Sequence, residues 1–345
     1  MIGFDIGGTK CAVCIGKEVD GELQILAKKV IPTDHSVSPY EMIDRMCGLL
    51  EEMKTELCPK EEADLSQDGD PVQQSQKPDG AKLAAFMDVI GISCGGPLDS
   101  RTGVIMSPPN LPGWDNVKIV TYLQEKYGMT SYLQNDANAC AVAEWKYGAG
   151  KGCENMIFLT FGTGMGAGLI LNGRLYAGTN DMAGEIGHVR ISDYGPVGYG
   201  KAGSFEGFCS GNGLAQIGQM IAREKLQMGG KVSFCESLTA LDQITAKGIA
   251  EAANNGAEDA LLAYRICGEM LGKGLSILID VLNPEKIVLG SVFQRSGHLL
   301  RESMQKVIDR ECLTAARSVC TVVPALLEEN IGDYAALAVA AIGGK

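Results

Sequence analysis

FDIGGTKCAVCIG, from Phe4 to Gly16, and LTFGTGMGAGLILNG, from Leu159 to Gly173, repeat one pattern within a single chain. Each has an apolar run, a turn rich in glycine and threonine, and a second apolar run, which predicts two short strands joined by a tight turn. Glycine allows positive φ and lets backbone amides approach a ligand closely. Two such turns facing each other would be able to hold the phosphates of one nucleotide.

Taken singly, either stretch is equally well explained as an ordinary hairpin. Asp5 changes that balance, because it lies directly before the first turn on an otherwise apolar strand, where an unpaired carboxylate is costly. A buried acid beside a glycine turn indicates a site that binds a metal ion or a phosphate group. The spacing disfavours a Walker A loop, and neither turn opens a helix after a strand, which disfavours a dinucleotide fingerprint.

Composition indicates a soluble globular protein with room for two domains. The chain has 345 residues, of which 46% are hydrophobic and 21% charged, and no run is long enough to cross a bilayer. A first strand starting near residue 2 leaves no room for a signal peptide or an N-terminal helix-turn-helix, so we expect a cytoplasmic protein without a membrane partner. The net charge of −12 argues against a nucleic-acid partner.

The 12 cysteines are scattered through apolar segments and are not spaced as a disulfide framework. We therefore expect reduced core thiols. Cys11 and Cys14 form a C-x-x-C, but residues three apart on a strand point to opposite faces, which disfavours a redox or metal role for the pair.

The order of the predicted elements is that of an α/β chain in two similar halves. Residues 58–80 are polar and contain proline, and they are predicted to be a mobile surface insertion. The other predicted elements are a strand over 23–31, a helix over 42–53, a strand over 88–92, a segment over 133–150 that starts with Gln-Asn-Asp and continues as an alanine-rich helix, helices over 214–222, 241–253 and 260–282, a strand over 286–289, and a last helix over 334–342 that returns to the first half.

Polar residues in apolar or glycine-rich surroundings mark the candidate site. Asn135-Asp136 begins a helix, where Asp136 is either an N-cap or a general base. Glu185 and His188 lie three residues apart in AGEIGHVR. A single histidine makes no metal site, so His188 is either a site residue or a structural histidine. The remaining candidates are Glu206, after a glycine-rich loop, and Asn110, in a stiff proline loop.

Together these stretches resemble one family. FDIGGTK, PPNLPGW, QNDANACA, FGTGMGAG, AGEIGH, FEGFCSG and NPEKIVLG occur in the order found in the ROK family of sugar kinases and related repressors. The resemblance covers essentially the whole chain outside the insertion. It implies a two-domain α/β fold of the actin-like ATPase (ribonuclease H-like) class, with a cleft for sugar and nucleotide between residues 1–132 plus about 332–345 and residues 133–331.

Carried over position by position, the resemblance implies an ATP-dependent kinase that phosphorylates a hexose or an N-acylhexosamine at the 6-hydroxyl. Asp136 is then the base that deprotonates the sugar, Asp5 is the acid near Mg²⁺, and Gly290 belongs to the adenosine region. The implied ligands of the other sugar hydroxyls are Asn110, Asn135, Glu185, His188 and Glu206. The implied phosphate-binding residues are Gly7, Gly8, Thr9, Lys10, Gly162, Thr163 and Gly164.

Two other functions stay open from the sequence. One is a non-catalytic sugar sensor without its own DNA-binding domain, like the repressor branch of the family, and the other is an actin-like ATPase without a sugar substrate. The resemblance also implies a homodimer, which no residue pattern shows.

The chain departs from the family at three places. Many members bind a structural zinc through the histidine of GEIGH and three cysteines, but those cysteine positions hold Val197, Tyr199 and Ser204 here, so we predict no zinc and a loop held by packing, with Tyr199 as a candidate. Ser291, Val292 and Phe293 follow the strand where further glycines are common, and Val292 either narrows the nucleotide pocket or repacks it. Gly95 replaces a usual proline.

Overall fold

The computed structural model describes residues 1–57, 89–327 and 330–343, and in it the chain divides into two α/β units. The first unit comprises Met1–Ala143 and the C-terminal segment from Glu329; the second comprises Glu144–Glu328. The segment predicted to be a mobile insertion, 58–80, lies outside the described residues. None of the helices in the described ranges combines the length and apolarity needed to span a bilayer.

The strands are β1 (Ile2–Ile6), β2 (Lys10–Val19), β3 (Glu22–Pro32), β4 (Val89–Cys94), β5 (Leu98–Asp99), β6 (Val104–Ile105), β7 (Thr130–Asn135), β8 (Met156–Leu159), β9 (Ala167–Leu171), β10 (Arg174–Leu175), β11 (Val197–Gly198), β12 (Lys201–Ala202), β13 (Lys286–Leu289) and β14 (Thr321–Pro324). The α-helices are α1 (Pro39–Leu57), α2 (Ile119–Tyr127), α3 (Asp136–Tyr147), α4 (Phe205–Phe208), α5 (Gly211–Gln227), α6 (Ala246–Asn254), α7 (Glu258–Leu282), α8 (Val292–Glu311), α9 (Thr314–Val319) and α10 (Ile331–Gly343).

The first unit is built on a five-stranded sheet with the order β3-β2-β1-β4-β7. β1 pairs antiparallel with β2 and parallel with β4, so the first repeated stretch is a hairpin, as predicted. Ile2, Phe4 and Ile6 of β1 share an apolar core with the buried face of α1. Gly3 and Asp5, which point to the other face of the sheet, lie against α10. A Cβ on Gly91 would lie 2.0 Å from the carbonyl oxygen of Ala336, so glycine and alanine allow α10 to lie directly on the sheet. The C-terminal helix therefore packs on the first sheet, as predicted.

The second unit is built on a sheet with the order β10-β9-β8-β13-β14. The second repeated stretch forms the antiparallel β8–β9 hairpin, and β13 pairs parallel with both β8 and β14. The helices from α5 to α8 contribute to one apolar core with this sheet, in which Phe205, Tyr264 and Phe293 are fully buried. α7 ends at Leu282, and the next residue, Asn283, caps it in the left-handed conformation at φ 45°.

The structure corrects the predicted helix over 241–253. A 3₁₀ turn over Leu238–Gln243 comes first, and α6 begins after Thr245, whose hydroxyl caps the helix by accepting a hydrogen bond from the Gly248 amide at 3.1 Å. The prediction was wrong there because apolar spacing continues through the turn, whereas the cap fixes the start of the helix. The helices α2, α4, α8 and α9 were not predicted.

Candidate functional site

The first glycine turn is closed on itself and held from outside. The amide of Gly7 donates to the carbonyl of Lys10 at 3.1 Å. The Thr33 hydroxyl donates to the Gly7 carbonyl at 2.6 Å, and Nε2 of His35 donates to the Gly8 carbonyl at 2.9 Å. Side chains of the segment after β3 are therefore hydrogen-bonded to two carbonyls of the turn. Thr9 and Lys10 are exposed and remain accessible to a ligand. Nothing in the sequence pattern pointed to Thr33 or His35.

The predicted sugar ligands of the first unit, Asn110 and Asn135, lie beside glycines. A Cβ on Gly8 would lie 2.3 Å from the Asn110 carbonyl oxygen, and one on Gly95 would lie 3.3 Å from Oδ1 of Asn110. A Cβ on Gly96 would lie 3.1 Å from Nδ2 of Asn135. The first unit thus brings the predicted phosphate turn and Asn110 together, and the missing Cβ atoms leave room for both amide side chains.

Asp136 is the first residue of α3, and its carboxylate is exposed. Both Oδ1 of Asp136 and Oδ1 of Asn135 accept a hydrogen bond from the Ala137 amide, at 2.8 and 3.0 Å. Because Asn135 shares the capping, the start of the helix does not depend on Asp136 alone. Protein surrounds this carboxylate at longer range, and the resulting desolvation raises its pKa, which suits a group that accepts a proton.

Two buried amide side chains, which the sequence analysis did not single out, support the junction between β7 and α3. Oε1 of Gln134 accepts hydrogen bonds from the Asn135 amide at 2.9 Å and from Nδ2 of Asn138 at 3.1 Å. Gln134 and Asn138 are 8% and 1% exposed. Their signal was present in QNDANA, as polar residues four apart at the junction of a strand and a helix, and they fix the backbone that carries Asp136.

Asp5 lies opposite Ser93 on β4, and its carboxylate accepts a hydrogen bond from the Ser93 hydroxyl. A Cβ on Gly332 would lie 2.7 Å from Oδ2 of Asp5. The absence of a side chain at position 332 therefore lets the first turn of α10 approach the carboxylate. The amino end of a helix favours such a negative charge.

The electrostatic surroundings of Asp5 leave its charge incompletely compensated. Burial, followed by the nearby carboxylates of Asp333 and Asp136, raises the pKa of Asp5 to about 6, while Ser93 and Lys10 oppose the increase. Asp333, at 3% exposed, is itself paired with Lys28 at 2.5 Å. Because carboxylate oxygens are the ligands that Mg²⁺ prefers, and a cation would offset this excess of negative charge, Asp5 fits the predicted magnesium ligand.

The second glycine turn, in the second unit, is braced by two neighbours. The Gly162 amide donates to the Gly164 carbonyl at 3.1 Å, and the Gly211 amide, at the start of α5, donates to the Gly162 carbonyl at 2.8 Å. Oε2 of Glu206 accepts a hydrogen bond from the Met165 amide at 2.9 Å. A predicted sugar ligand is therefore bonded directly to the predicted phosphate turn.

The AGEIGH loop lies against the same turn. Ile186–His188 form a 3₁₀ turn, and a Cβ on Gly187 would lie 2.1 Å from the Met165 carbonyl oxygen and 3.3 Å from Cβ of Glu206. Glu185 and His188 are both exposed. The second unit thus brings Glu185, His188 and Glu206 close to the second turn.

The three residues at the positions of the family's zinc-binding cysteines make other contacts in this chain. Ser204 is fully buried and caps α4, accepting from the Gly207 amide at 3.1 Å. Val197 is held through its backbone by the Gln216 side chain. Tyr199 lies at the tip of the β11–β12 hairpin with its ring edge-on to that of His188, the two centroids 6.2 Å apart. The absence of zinc stays a prediction.

The residues that replace the expected glycines after β13 divide into two groups. Val292 and Phe293 are 8% and 1% exposed and belong to the apolar core of the second unit, so Val292 repacks this region. Ser291 takes φ 51° and ψ −103°, a conformation that glycine adopts far more readily, and its amide donates to Oε1 of Gln294 at 3.0 Å. A Cβ on Gly162 would lie 3.7 Å from the Ser291 hydroxyl oxygen.

Known proteins resemble this chain over most of its length. The model of the ROK family matches residues 72–341. A glucokinase from Halalkalibacterium halodurans is 36% identical over 228 residues, 64% of this chain and 66% of the relative. A glucokinase from Streptomyces coelicolor is 28% identical over 338 residues, 96% of this chain and 94% of the relative. A xylose repressor from Caldicellulosiruptor bescii is 31% identical over 227 residues, 66% of this chain and 55% of the repressor.

A solved structure agrees with the sequence relatives. The ROK family glucokinase from Streptomyces griseus, crystallised with glucose and AMPPNP, superposes with a TM-score of 0.69 at 25% identity, covering 99% of this chain and 98% of the other. The fold is therefore the two-domain α/β fold of the actin-like ATPases, as predicted.

Proposed function

The chain belongs to the ROK family, and from this premise we propose that it is an ATP-dependent kinase that phosphorylates a sugar hydroxyl. The glucokinase relatives support this activity, and the observation that carries it is Asp136: an exposed carboxylate of raised pKa whose helix-capping role Asn135 shares. A sensor would not need such a base. We propose further that the substrate is a hexose or an N-acylhexosamine and that the 6-hydroxyl is phosphorylated.

In the proposed step, Asp136 accepts the proton of the sugar hydroxyl while that oxygen bonds to the γ-phosphorus of ATP. The bond from the γ-phosphorus to the bridging oxygen breaks, and ADP leaves with its electron pair. General-base catalysis of this kind typically contributes about 10²- to 10⁴-fold in rate. The rest of the acceleration comes from positioning and charge stabilisation, which dominate phosphoryl transfer.

The two glycine turns are the proposed phosphate sites. The carbonyls of Gly7 and Gly8 are already bonded to Thr33 and His35, so the turn is held in one shape before a ligand arrives. Lys10 adds a positive charge. Asp5 would hold Mg²⁺, which supplies neutralisation of the phosphate charges when bound.

The sugar ligands are proposed to be Asn110, Asn135, Glu185, His188 and Glu206. Their amide, carboxylate and imidazole groups match the donors and acceptors of sugar hydroxyls. Exposure of Asn110, Glu185 and His188 leaves them accessible to such a ligand. A homodimer and a cytoplasmic location stay predictions based on the family resemblance, and light scattering after size exclusion tests the first.

The similarity to a xylose repressor supports one alternative function, that of a non-catalytic sugar sensor. Asp5, Asp136 and both glycine turns together favour the kinase, because a sensor requires none of them. Consumption of ATP by the purified protein, measured without sugar and with glucose, mannose, allose, fructose, N-acetylglucosamine and N-acetylmannosamine, separates the possibilities. Sugar-dependent ADP release supports the kinase; sugar binding without ADP release supports the sensor; sugar-independent release supports a plain ATPase.

A further inference from the structure

The β11–β12 hairpin carries an aromatic residue in a backbone conformation that does not suit it. Its two central residues, Tyr199 and Gly200, have φ values of 43° and 74°. Positive φ at both positions is typical of a type I′ turn, which favours Asn-Gly. A bulky residue at positive φ is strained, and such strain is kept where it serves a site. Tyr199 is 79% exposed, so burial within its own unit does not compensate for the strain.

The hairpin lies between two predicted sugar ligands. The ammonium group of Lys201 donates to the His188 carbonyl at 2.8 Å, and the ring of Tyr199 meets that of His188 at an interplanar angle of 78°. On the other side, a Cβ on Gly198 would lie 3.0 Å from the carbonyl carbon of Glu206. The hairpin therefore lies beside His188 at its tip, through Tyr199, and beside the backbone of Glu206 at Gly198.

The base of the hairpin is fixed, so the position of Tyr199 is defined. The Gln216 amide group bonds both backbone groups of Val197: its Oε1 accepts from the Val197 nitrogen at 2.8 Å, and its Nε2 donates to the Val197 oxygen at 2.9 Å. Arg190 donates to the Ala202 carbonyl at 2.7 Å. Both ends of this six-residue segment are thus held by side chains from outside it.

We propose that Tyr199 is a sugar-specificity residue, whose ring covers the C–H surface of the sugar bound by His188 and Glu206. A pyranose carries hydroxyls around its rim and C–H groups on its faces, and a tyrosine ring offers a rigid apolar surface at a low cost in conformational entropy. The contact forms only when the sugar binds, which accounts for the exposed ring in the free protein. This inference rests on the proposed sugar site.

Tyr199→Asn is the decisive variant, because asparagine suits the turn and lacks the ring. We expect its melting temperature to rise by about 2 °C as strain is released. The dissociation constant for the sugar should increase about tenfold through loss of the contact. The KM for ATP should stay unchanged. Tyr199→Phe keeps the ring and should bind the sugar within about twofold of the wild type, since the ring supplies most of the contact.

Tyr194→Asn is the matched control, since Tyr194 is 83% exposed in the same loop and has a negative φ. It should leave sugar affinity unchanged. Affinity is measured by titration calorimetry without ATP, using the panel sugar that the wild type binds most tightly, so the result does not depend on turnover. Equal sugar affinity of Tyr199→Asn and wild type overturns the proposal, as does failure of the wild type to bind any sugar of the panel. Sugar binding without phosphorylation contradicts only the kinase activity.

Discussion

Glu206 and Met165 are joined by a hydrogen bond of 2.9 Å from the Met165 amide to Oε2 of the carboxylate. Met165 directly follows the second glycine turn, and Glu206 is a proposed sugar ligand. One carboxylate oxygen is therefore used to hold the turn, while a carboxylate has the capacity to accept further bonds from a sugar hydroxyl. This bond would link sugar binding at the proposed ligand Glu206 to the shape of the proposed phosphate turn.

Glu206→Ala is therefore expected to raise the KM for ATP as well as the KM for the sugar. Hydrogen bonds to charged groups contribute about 1.5–3 kcal/mol, so each effect should reach about tenfold or more. Glu185→Ala is the control, because it removes a proposed sugar ligand from the neighbouring loop and leaves the bond to Met165 in place. Steady-state kinetics with each substrate varied in turn gives both constants. An unchanged KM for ATP in Glu206→Ala would contradict the link.

Asp136→Asn should lose turnover by about 10²- to 10⁴-fold or more while still binding the sugar. The fold should be kept, because Asn135 still accepts the hydrogen bond from the Ala137 amide and an asparagine oxygen at position 136 is able to do the same. Single-turnover phosphorylation assays and sugar titration calorimetry measure the two properties separately. Undiminished turnover would remove Asp136 from its proposed role as the base.

Asp5→Asn is expected to stabilise the protein while abolishing phosphoryl transfer. Since the pKa of Asp5 is about 6 in the folded protein, against 3.8 ordinarily, ionising this group opposes folding. The penalty is absent below about pH 4, grows between about pH 4 and 6, and is complete above that, where it amounts to about 2–3 kcal/mol.

Thermal unfolding of Asp5→Asn and wild type across pH 4–8, without nucleotide or magnesium, tests this expectation. The variant should be the more stable near pH 8, and the two curves should converge near pH 4. A difference in stability that does not depend on pH would contradict the role of the Asp5 charge.

Ser291→Gly is expected to increase the free energy of unfolding by about 1 kcal/mol. Position 291 has φ 51° and ψ −103°, where a serine is strained by about 1–3 kcal/mol. The greater freedom of glycine in the unfolded chain and the loss of the Ser291 side chain from the capping box of α8 offset part of that gain.

The matched control for this prediction is Ser210→Gly. Ser210 also precedes a helix, but it has φ −149° and its hydroxyl accepts a hydrogen bond from the Gly213 amide at 2.9 Å. Because that substitution removes a cap and relieves no strain, it should lower stability. Urea unfolding compares the two variants, and a loss of stability in both would argue against strain at Ser291.

Local pattern was sufficient for the elements that frame the site. The two strand-turn-strand stretches, the helix that begins at Asp136 and the alanine-rich helix α10 were all predicted, because alternation, helical spacing and glycine turns depend on residues close together in the chain. The same pattern failed near Thr245, because the apolar spacing continues through the preceding 3₁₀ turn while the cap fixes where the helix begins. It also missed α8, which is preceded by Ser291 in a conformation typical of glycine.

The supporting contacts of the site required the folded chain. Thr33 holds Gly7 across 26 positions of sequence, and Gly332 leaves the space in which the Asp5 carboxylate lies. Such contacts have no periodic signature, since they arise only where separate strands and helices meet. The residue types of FDIGGTK and QNDANA therefore allowed a site chemistry to be predicted from the sequence alone. The partners that fix those residues, raise the pKa of Asp5 and place Tyr199 beside His188 were set by packing between segments distant in the chain.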